Sequence, residues 1–202
     1  MERHGAEEVI AIDLDDPRQV DFSEPGPVWS EETAADRESR PQAFATAHDA
    51  LGSSVVRRDL SVYRLSGDEV GEFDFAFLGT LLLHLRDPVL ALTRIREVLR
   101  PGGRLLVNDA VSLAMTLLHP RRPVHQLTLL PGKPYWWIPN ARGLAQYAAK
   151  AGFTVLDAGR PYFLPRGQGY ARARLPLTPT RFASHALHNR GMVHAWILAQ
   201  AP

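Results

Sequence analysis

The 202-residue sequence contains no cysteine. Disulfide staples, thiolate metal sites and a cysteine nucleophile are therefore excluded. It also lacks a dominant charge: 23 Lys and Arg stand against 22 Asp and Glu, for a formal net charge of +1. That balance gives no bulk attraction to nucleic acid or to an anionic membrane, although it leaves room for a local basic patch. No apolar run approaches the roughly 18–20 residues that a bilayer-spanning helix needs. Met1-Glu2-Arg3-His4-Gly5 has no apolar stretch like that of a signal peptide. No internal repeat is visible. These absences lead to the expectation of a single domain over residues 1–202, in a reducing cytoplasm and away from the membrane.

The residues that are present suit a packed domain, with 45% hydrophobic and 22% charged, ordinary values for a globular chain. Val9-Ile10-Ala11-Ile12 reads as a buried strand closed by the acidic turn Asp13-Leu14-Asp15-Asp16-Pro17. Residues 17–40 carry Pro17, Pro25 and Pro27 and read as an irregular loop. A helix is predicted over Pro41–Ala50, then strands over Ser54–Leu60 and Phe73–Leu78. Asp87-Pro88 is a helix start, with Val89, Leu92, Ile95, Val98 and Leu99 as its apolar stripe. Pro101-Gly102-Gly103 reads as a stop and turn before a strand over Arg104–Asp109. A long proline-rich connection occupies 111–140, and Asn140 is placed to cap a helix over Ala141–Ala151. Strands over Phe153–Leu156 and Met192–Ala199 follow. The alternation of short apolar strands and amphipathic helices argues for an open, mainly parallel α/β sheet.

Four segments in this order resemble a known family. Phe73-Asp74-Phe75-Ala76-Phe77-Leu78-Gly79-Thr80-Leu81-Leu82-Leu83-His84-Leu85-Arg86-Asp87-Pro88, with Leu99-Arg100-Pro101-Gly102-Gly103-Arg104-Leu105-Leu106, resembles the fourth strand, following helix and fifth strand of class I S-adenosylmethionine-dependent methyltransferases. Ile12-Asp13-Leu14-Asp15 resembles the end of that fold's second strand. Trp137-Ile138-Pro139-Asn140 and Ala151-Gly152-Phe153 resemble a later helix and sixth strand of one subgroup, similar to the tRNA wobble-uridine carboxymethyl-transfer enzymes. The likeness covers roughly residues 5–110 and 135–200. It implies a Rossmann-like sheet and S-adenosylmethionine as cofactor.

Ligands of doubly wound sheets lie at the carboxyl ends of strands, near the topological switch point. A carboxylate there can accept both hydroxyls of a ribose. Asp13 is the first candidate, with Leu14 beside it and Asp15 second; a plain turn is the alternative for both acids. The resemblance places Asp59, Leu60 and Ser61 at the adenine pocket, although an ordinary strand-end turn explains them equally. Leu78 and Gly79 end the fourth strand, where a missing side chain either admits the cofactor or simply permits a tight turn. His84 is the candidate to orient a substrate or take its proton. Relatives often carry an aromatic residue beside this histidine. Here the neighbour is Leu83, and a helix-start histidine bonded to backbone is the competing reading. Trp136 and Trp137 form an aromatic wall for substrate or merely pack their loop, and Asn140 is grouped with them on the substrate side. Arg160, Arg166, Arg172, Arg174 and Arg181 suit either phosphates or a solvated surface. His185 and His188 are one helical turn apart with no third ligand evident, so no metal site is expected.

The family's fold opens with a strand, a glycine-rich turn and a helix. Here the second strand begins by Val9, and Met1 to Glu8 resemble the end of the first helix with no Gly-x-Gly ahead of them. The expectation is an N-terminally truncated member lacking its first strand and glycine-rich loop. The alternatives are a gap filled by another strand or a degenerate, non-catalytic relative. Orphaned backbone groups in mid-sheet would cost about 1–3 kcal/mol each, against roughly 5–15 kcal/mol for a whole domain.

The implied activity is transfer of a methyl group to an oxygen, nitrogen or carbon of an unidentified acceptor. A small molecule is expected before tRNA, since the chain is nearly neutral and has no basic extension. Such a displacement depends on alignment more than on acid or base strength, so no catalytic triad is required. The alternative is a non-catalytic scaffold or interaction protein whose sheet is paired by another copy, hence a homo-oligomer. A nicotinamide-binding enzyme is disfavoured because it too needs a glycine-rich first turn. Calorimetry on the 202-residue chain is expected to show weak cofactor binding or none; micromolar affinity would refute the missing-loop argument.

Overall fold

The computed structural model describes residues 1–16, 19–21, 40–128, 135–165 and 191–202. Two short parallel strands form one unit. β1 (Ile10–Asp13) lies beside β2 (Val56–Asp59), with Ile10 opposite Val56 and Asp13 opposite Asp59. α1 (Arg40–Leu51) precedes β2. The register brings the ends of both strands to one level, and Leu60 N–H donates to Asp13 O at 3.0 Å. Where the end of a first helix was expected there is one 3-10 turn, Glu2–His4, closed by Gly5 at φ 85°. Glu2 holds this turn to the approach of β2. Its carboxylate accepts from Ser53 Oγ at 2.7 Å and from Ser54 N–H at 2.6 Å, and these bonds lower its pKa to about 2.

The larger sheet starts with β3 (Phe73–Gly79) and β4 (Leu99–Ala110), which are parallel and joined through α3 (Pro88–Glu97). Asp87 caps α3 by accepting from Leu90 N–H at 2.8 Å, with Pro88 in the first turn. Pro101-Gly102-Gly103 falls inside β4 rather than before it. The register jumps from Phe73 opposite Leu99 to Phe75 opposite Arg104, so the intervening residues bulge out. Gly102 has a φ of 80°. A Cβ on Gly103 would sit 2.8 Å from Arg100 O, a contact that only glycine avoids. β9 (Met192–Gln200) pairs antiparallel with β4, with β7 (Thr154–Ala158) and with β8 (Tyr162–Leu164). The sheet is therefore mixed, not mainly parallel: sequence alternation reports helices between strands but not the direction of the last strands. A short helix, α2 (Gly67–Val70), lies ahead of β3.

The described parts of the 111–140 connection, residues 111–128 and 135–140, hold regular structure. They contain α4 (Leu113–Leu118), capped by Ser112, and an antiparallel pair, β5 (His125–Leu127) with β6 (Trp137–Pro139). Each piece is too short to leave a periodic signal. α5 (Ala141–Lys150) follows, capped by Asn140, whose Oδ1 accepts from Gly143 N–H at 2.8 Å. α3, α5, β3, β4 and β9 enclose the core around Leu92, Leu105, Leu144 and Ile197. Among the described residues no helix is long and apolar enough to cross a membrane. The residues 22–39 of the expected loop, and Arg166, Arg172, Arg174, Arg181, His185 and His188, lie outside the described residues.

Leu92 and Leu144 are fully buried, so truncation leaves a cavity as well as losing transfer energy. Leu92→Ala and Leu144→Ala should each lower stability by about 2–5 kcal/mol in urea unfolding, with a cost below about 1 kcal/mol contradicting this core.

Candidate functional site

The ends of β1 and β2 present three carboxylates and one guanidinium. Asp13 Oδ1 accepts from Leu14 N–H at 2.9 Å, and Asp59 Oδ1 accepts from Asp15 N–H at 2.9 Å. Arg57 reaches across from β2: it pairs with Asp15 and lies 3.6 Å from Asp13 Oδ2. The guanidinium also lies over the Phe44 ring of α1, 5.9 Å from its centroid. Asp13 remains half exposed, so its carboxylate still faces solvent.

This acidic rim is one wall of a cleft of about 250 Å³. Ile12, Leu14, Leu60, Val62, Leu81 and Leu85 give it apolar sides, while Asp13, Asp15, Ser61, Thr80 and His84 supply polar groups. The far side is tied together by Asp21. Its Oδ2 accepts from Tyr63 Oη at 2.8 Å and from Arg86 N–H at 2.7 Å, and its carbonyl accepts from Trp136 Nε1 at 2.7 Å. Tyr63 Oη in turn accepts from Asp87 N–H at 3.0 Å. Burial, reinforced by Asp21, pushes the Tyr63 pKa up, so the hydroxyl keeps its proton.

The loop after β3 is anchored from β4. Asp109, 1% exposed, accepts from Leu81 N–H at 2.9 Å and from Leu82 N–H at 2.7 Å through Oδ2, and from Ala110 N–H at 2.7 Å through Oδ1. Those bonds shape the 3-10 turn Leu82–His84 and set His84 in the cleft, its ring 5.4 Å from that of Tyr135. Burial raises the Asp109 pKa from 3.8 to about 6, against the opposing pull of the backbone N–H groups.

Residues 27–107 match the family described as Methyltransferase domain. The chain superposes on the 1,6-didemethyltoxoflavin-N1-methyltransferase of Burkholderia thailandensis, a structure with bound 1,6-didemethyltoxoflavin and S-adenosylhomocysteine. The TM-score is 0.55 at 18% identity, over 99% of this chain and 74% of that one. The fold is that of an S-adenosylmethionine-dependent methyltransferase. The chain is also 29% identical over 132 residues to a cobyric acid synthase of Desulforudis audaxviator, covering 64% of this chain. It is 28% identical over 91 residues to a tRNA U34 carboxymethyltransferase of Idiomarina loihiensis, covering 42% of this chain. It spans only 26% and 25% of the lengths of these two proteins.

Within this methyltransferase fold the expected site residues separate into two groups. Asp13, Leu14, Asp15, Leu60, Ser61 and His84 all line the one cleft. Asp59 lies beneath it, bonded to the Asp15 backbone. Leu78 is buried and Gly79 is not part of the lining; the next residues, Thr80 and Leu81, reach the cleft instead. Trp136 and Trp137 lie outside the lining, and their Nε1 groups donate to Asp21 O and Arg86 O. Asn140 is fully buried and committed to backbone: Oδ1 also accepts from Val124 N–H, and Nδ2 donates to His119 O and Arg122 O. These bonds leave it no exposed group for a ligand. The sequence reading overlooked Asp21, Thr80 and Asp109. The buried acid at the end of an apolar strand, Asp109, was the one visible signal among them. The described residues hold no Gly-x-Gly turn and no cluster of three or more metal-ligating side chains; the chain's Gly167-Gln168-Gly169 falls outside them.

Because Asp109 binds its proton more tightly when folded, it stabilises the fold below its ordinary pKa of 3.8, and that contribution is lost as pH rises through about 6. The two limits differ by on the order of 3 kcal/mol. Asp109→Asn should remove this component. The wild-type minus variant difference in unfolding free energy should rise on acidification from pH 7 to 4, and parallel curves would show that Asp109 does not titrate in this window.

Proposed function

We propose that the cleft holds the nucleoside half of S-adenosylmethionine and that the chain is the methyl-transferring part of an enzyme acting on a small-molecule acceptor. One observation carries this reading. A single cleft joins the acidic ends of β1 and β2 to the loop that follows β3, the arrangement that a sheet-end nucleotide site requires. The domain match and the fold support S-adenosylmethionine as the cofactor.

The residues present fit that group. Asp13 keeps carboxylate capacity for ribose hydroxyls beyond its bond to Leu14, and Arg57 holds it at the rim. Leu60 and Ser61 stand where an adenine edge is read, between the apolar walls Ile12 and Leu14. The sulfonium methyl is the group that the cofactor supplies. His84 and Thr80 face the cleft from the opposite wall and attend to the acceptor. The net charge of +1 favours a small acceptor over tRNA, and the absence of cysteine suits a cytoplasmic setting.

A second reading, a scaffold paired with another copy, draws on a different observation. The outer edges of β1 and β3 have no strand partner among the described residues, and Phe75 and Phe77 on β3 are 40% and 53% exposed. Light scattering that finds only dimers, without cofactor binding, would favour it.

Adenosine and S-adenosylhomocysteine should bind with similar affinities, both weaker than micromolar, since no Gly-x-Gly turn among the described residues grips the amino-acid half. Asp13→Asn should weaken both by about tenfold, the loss of about 1.4 kcal/mol from a charge-assisted bond. Calorimetry that detects neither ligand, or an unchanged Asp13→Asn affinity, would overturn the assignment.

A further inference from the structure

Thr80 has a backbone that its own chemistry does not favour. Its φ is 51°, the left-handed value that among the described non-glycine residues it alone adopts. A β-branched residue takes this conformation only when its surroundings impose it. The imposition is visible here. Thr80 N–H donates to Asn108 O at 2.8 Å, and the next two N–H groups donate to Asp109. A glycine would relax this turn, so the threonine side chain needs another explanation.

That side chain meets a buried histidine from β9. Thr80 Oγ1 lies 3.2 Å from His194 Nε2, and His194 Nδ1 lies 3.2 Å from Met192 O. A carbonyl only accepts, so Nδ1 carries the ring hydrogen. In the neutral form of the ring Nε2 is then bare, and the hydrogen between the two side chains belongs to Thr80. His194 is 1% exposed, whereas Thr80 is half-buried and lines the cleft. The Thr80 hydroxyl thus points its hydrogen at a buried base and leaves its lone pairs for a donor in the cleft.

We infer that Thr80 is the residue that takes the proton from the methyl acceptor, with His194 as the positioning residue that receives it in turn. The inference rests on the methyltransferase reading. The class of acceptor is a neutral, weakly acidic O–H or N–H group. Its hydrogen bonds to Thr80 Oγ1. On transfer, the acceptor O–H or N–H bond breaks and its electron pair stays on the acceptor. The proton joins Thr80 Oγ1 while the Thr80 hydrogen moves to His194 Nε2. The threonine hydroxyl is regenerated, and the acceptor anion is balanced by an imidazolium.

The test uses the full chain with saturating S-adenosylhomocysteine and 4-nitrophenol as the probe, because its anion absorbs in the visible. Wild type and Thr80→Ser should produce the anion band at a pH where the free indicator is protonated. Thr80→Val, which keeps the shape, and Thr80→Gly, which relaxes the backbone, should lose it. A band retained in Thr80→Val or Thr80→Gly overturns the inference and points to His84, and so does its absence in wild type that binds S-adenosylhomocysteine. A second measurement needs no ligand. Nitrogen NMR of labelled histidine should show His194 as the Nδ1–H tautomer, with an Nε2 resonance that moves in Thr80→Val and not in Thr80→Ser. An Nε2–H tautomer overturns the inference. Failure of wild type to bind S-adenosylhomocysteine sinks the methyltransferase reading instead, and the NMR result then decides the Thr80–His194 pair by itself.

Discussion

The carboxylate of Asp109 accepts hydrogen bonds from Leu81 and Leu82 on one oxygen and from Ala110 on the other. The geometry of the cleft follows from these bonds. β3 and β4 are parallel, so the loop leaving β3 must turn away from the sheet, exposing backbone N–H groups that no ladder can satisfy. A buried acid at the end of the neighbouring strand satisfies them, and desolvation is what that arrangement costs, as its raised pKa shows. Thr80 is bent into a left-handed conformation, Leu82 and Leu83 are driven into the core, and His84 is turned to the opening. Without the acid, two core leucines and two polar groups of the cleft would lose their common support.

The two walls of the cleft are joined differently. Among the described residues no strand ladder links β1 to β3. Continuity comes from side chains: Asp21 bonds Tyr63 and the Arg86 backbone, and Trp136 donates to the Asp21 carbonyl while its ring lies 4.8 Å from the Arg86 guanidinium. Such bonds are individually modest, about 0.5–1.5 kcal/mol net. The two walls of the cleft are therefore held to one another by polar struts, not by a shared strand ladder.

Local signals in the sequence were faithful where one residue decides the structure. Asp87 with Pro88 marked the start of α3, Asn140 the start of α5, and Ile12-Asp13 the end of β1. The apolar stripe of α3 became the core. Long-range pairing was not legible. The antiparallel direction of β9, the bulge at Pro101-Gly102-Gly103 and the β5–β6 pair depend on partners far along the chain, and no local period reports them. The site divides in the same way. Strand-end acids and His84 reach the cleft, while Asn140 is absorbed into capping and the two tryptophans into bracing. Thr80 and His194 are far apart in sequence and meet only because β9 inserts beside β4. No reading of either segment alone brings them together.

That insertion also shapes how the protein is made. β9 is the common partner of β4, β7 and β8, yet it is synthesised after all three. During translation β4 emerges with its hydrophobic face formed and its long edge open, and it stays so until residues 192–200 leave the ribosome. Pairing over such distances is slow, and open apolar edges invite aggregation. A nascent chain of this design carries an unpaired apolar edge until β9 emerges, and ribosome stalling upstream of Met192 would release a species in which β4, β7 and β8 lack their common partner.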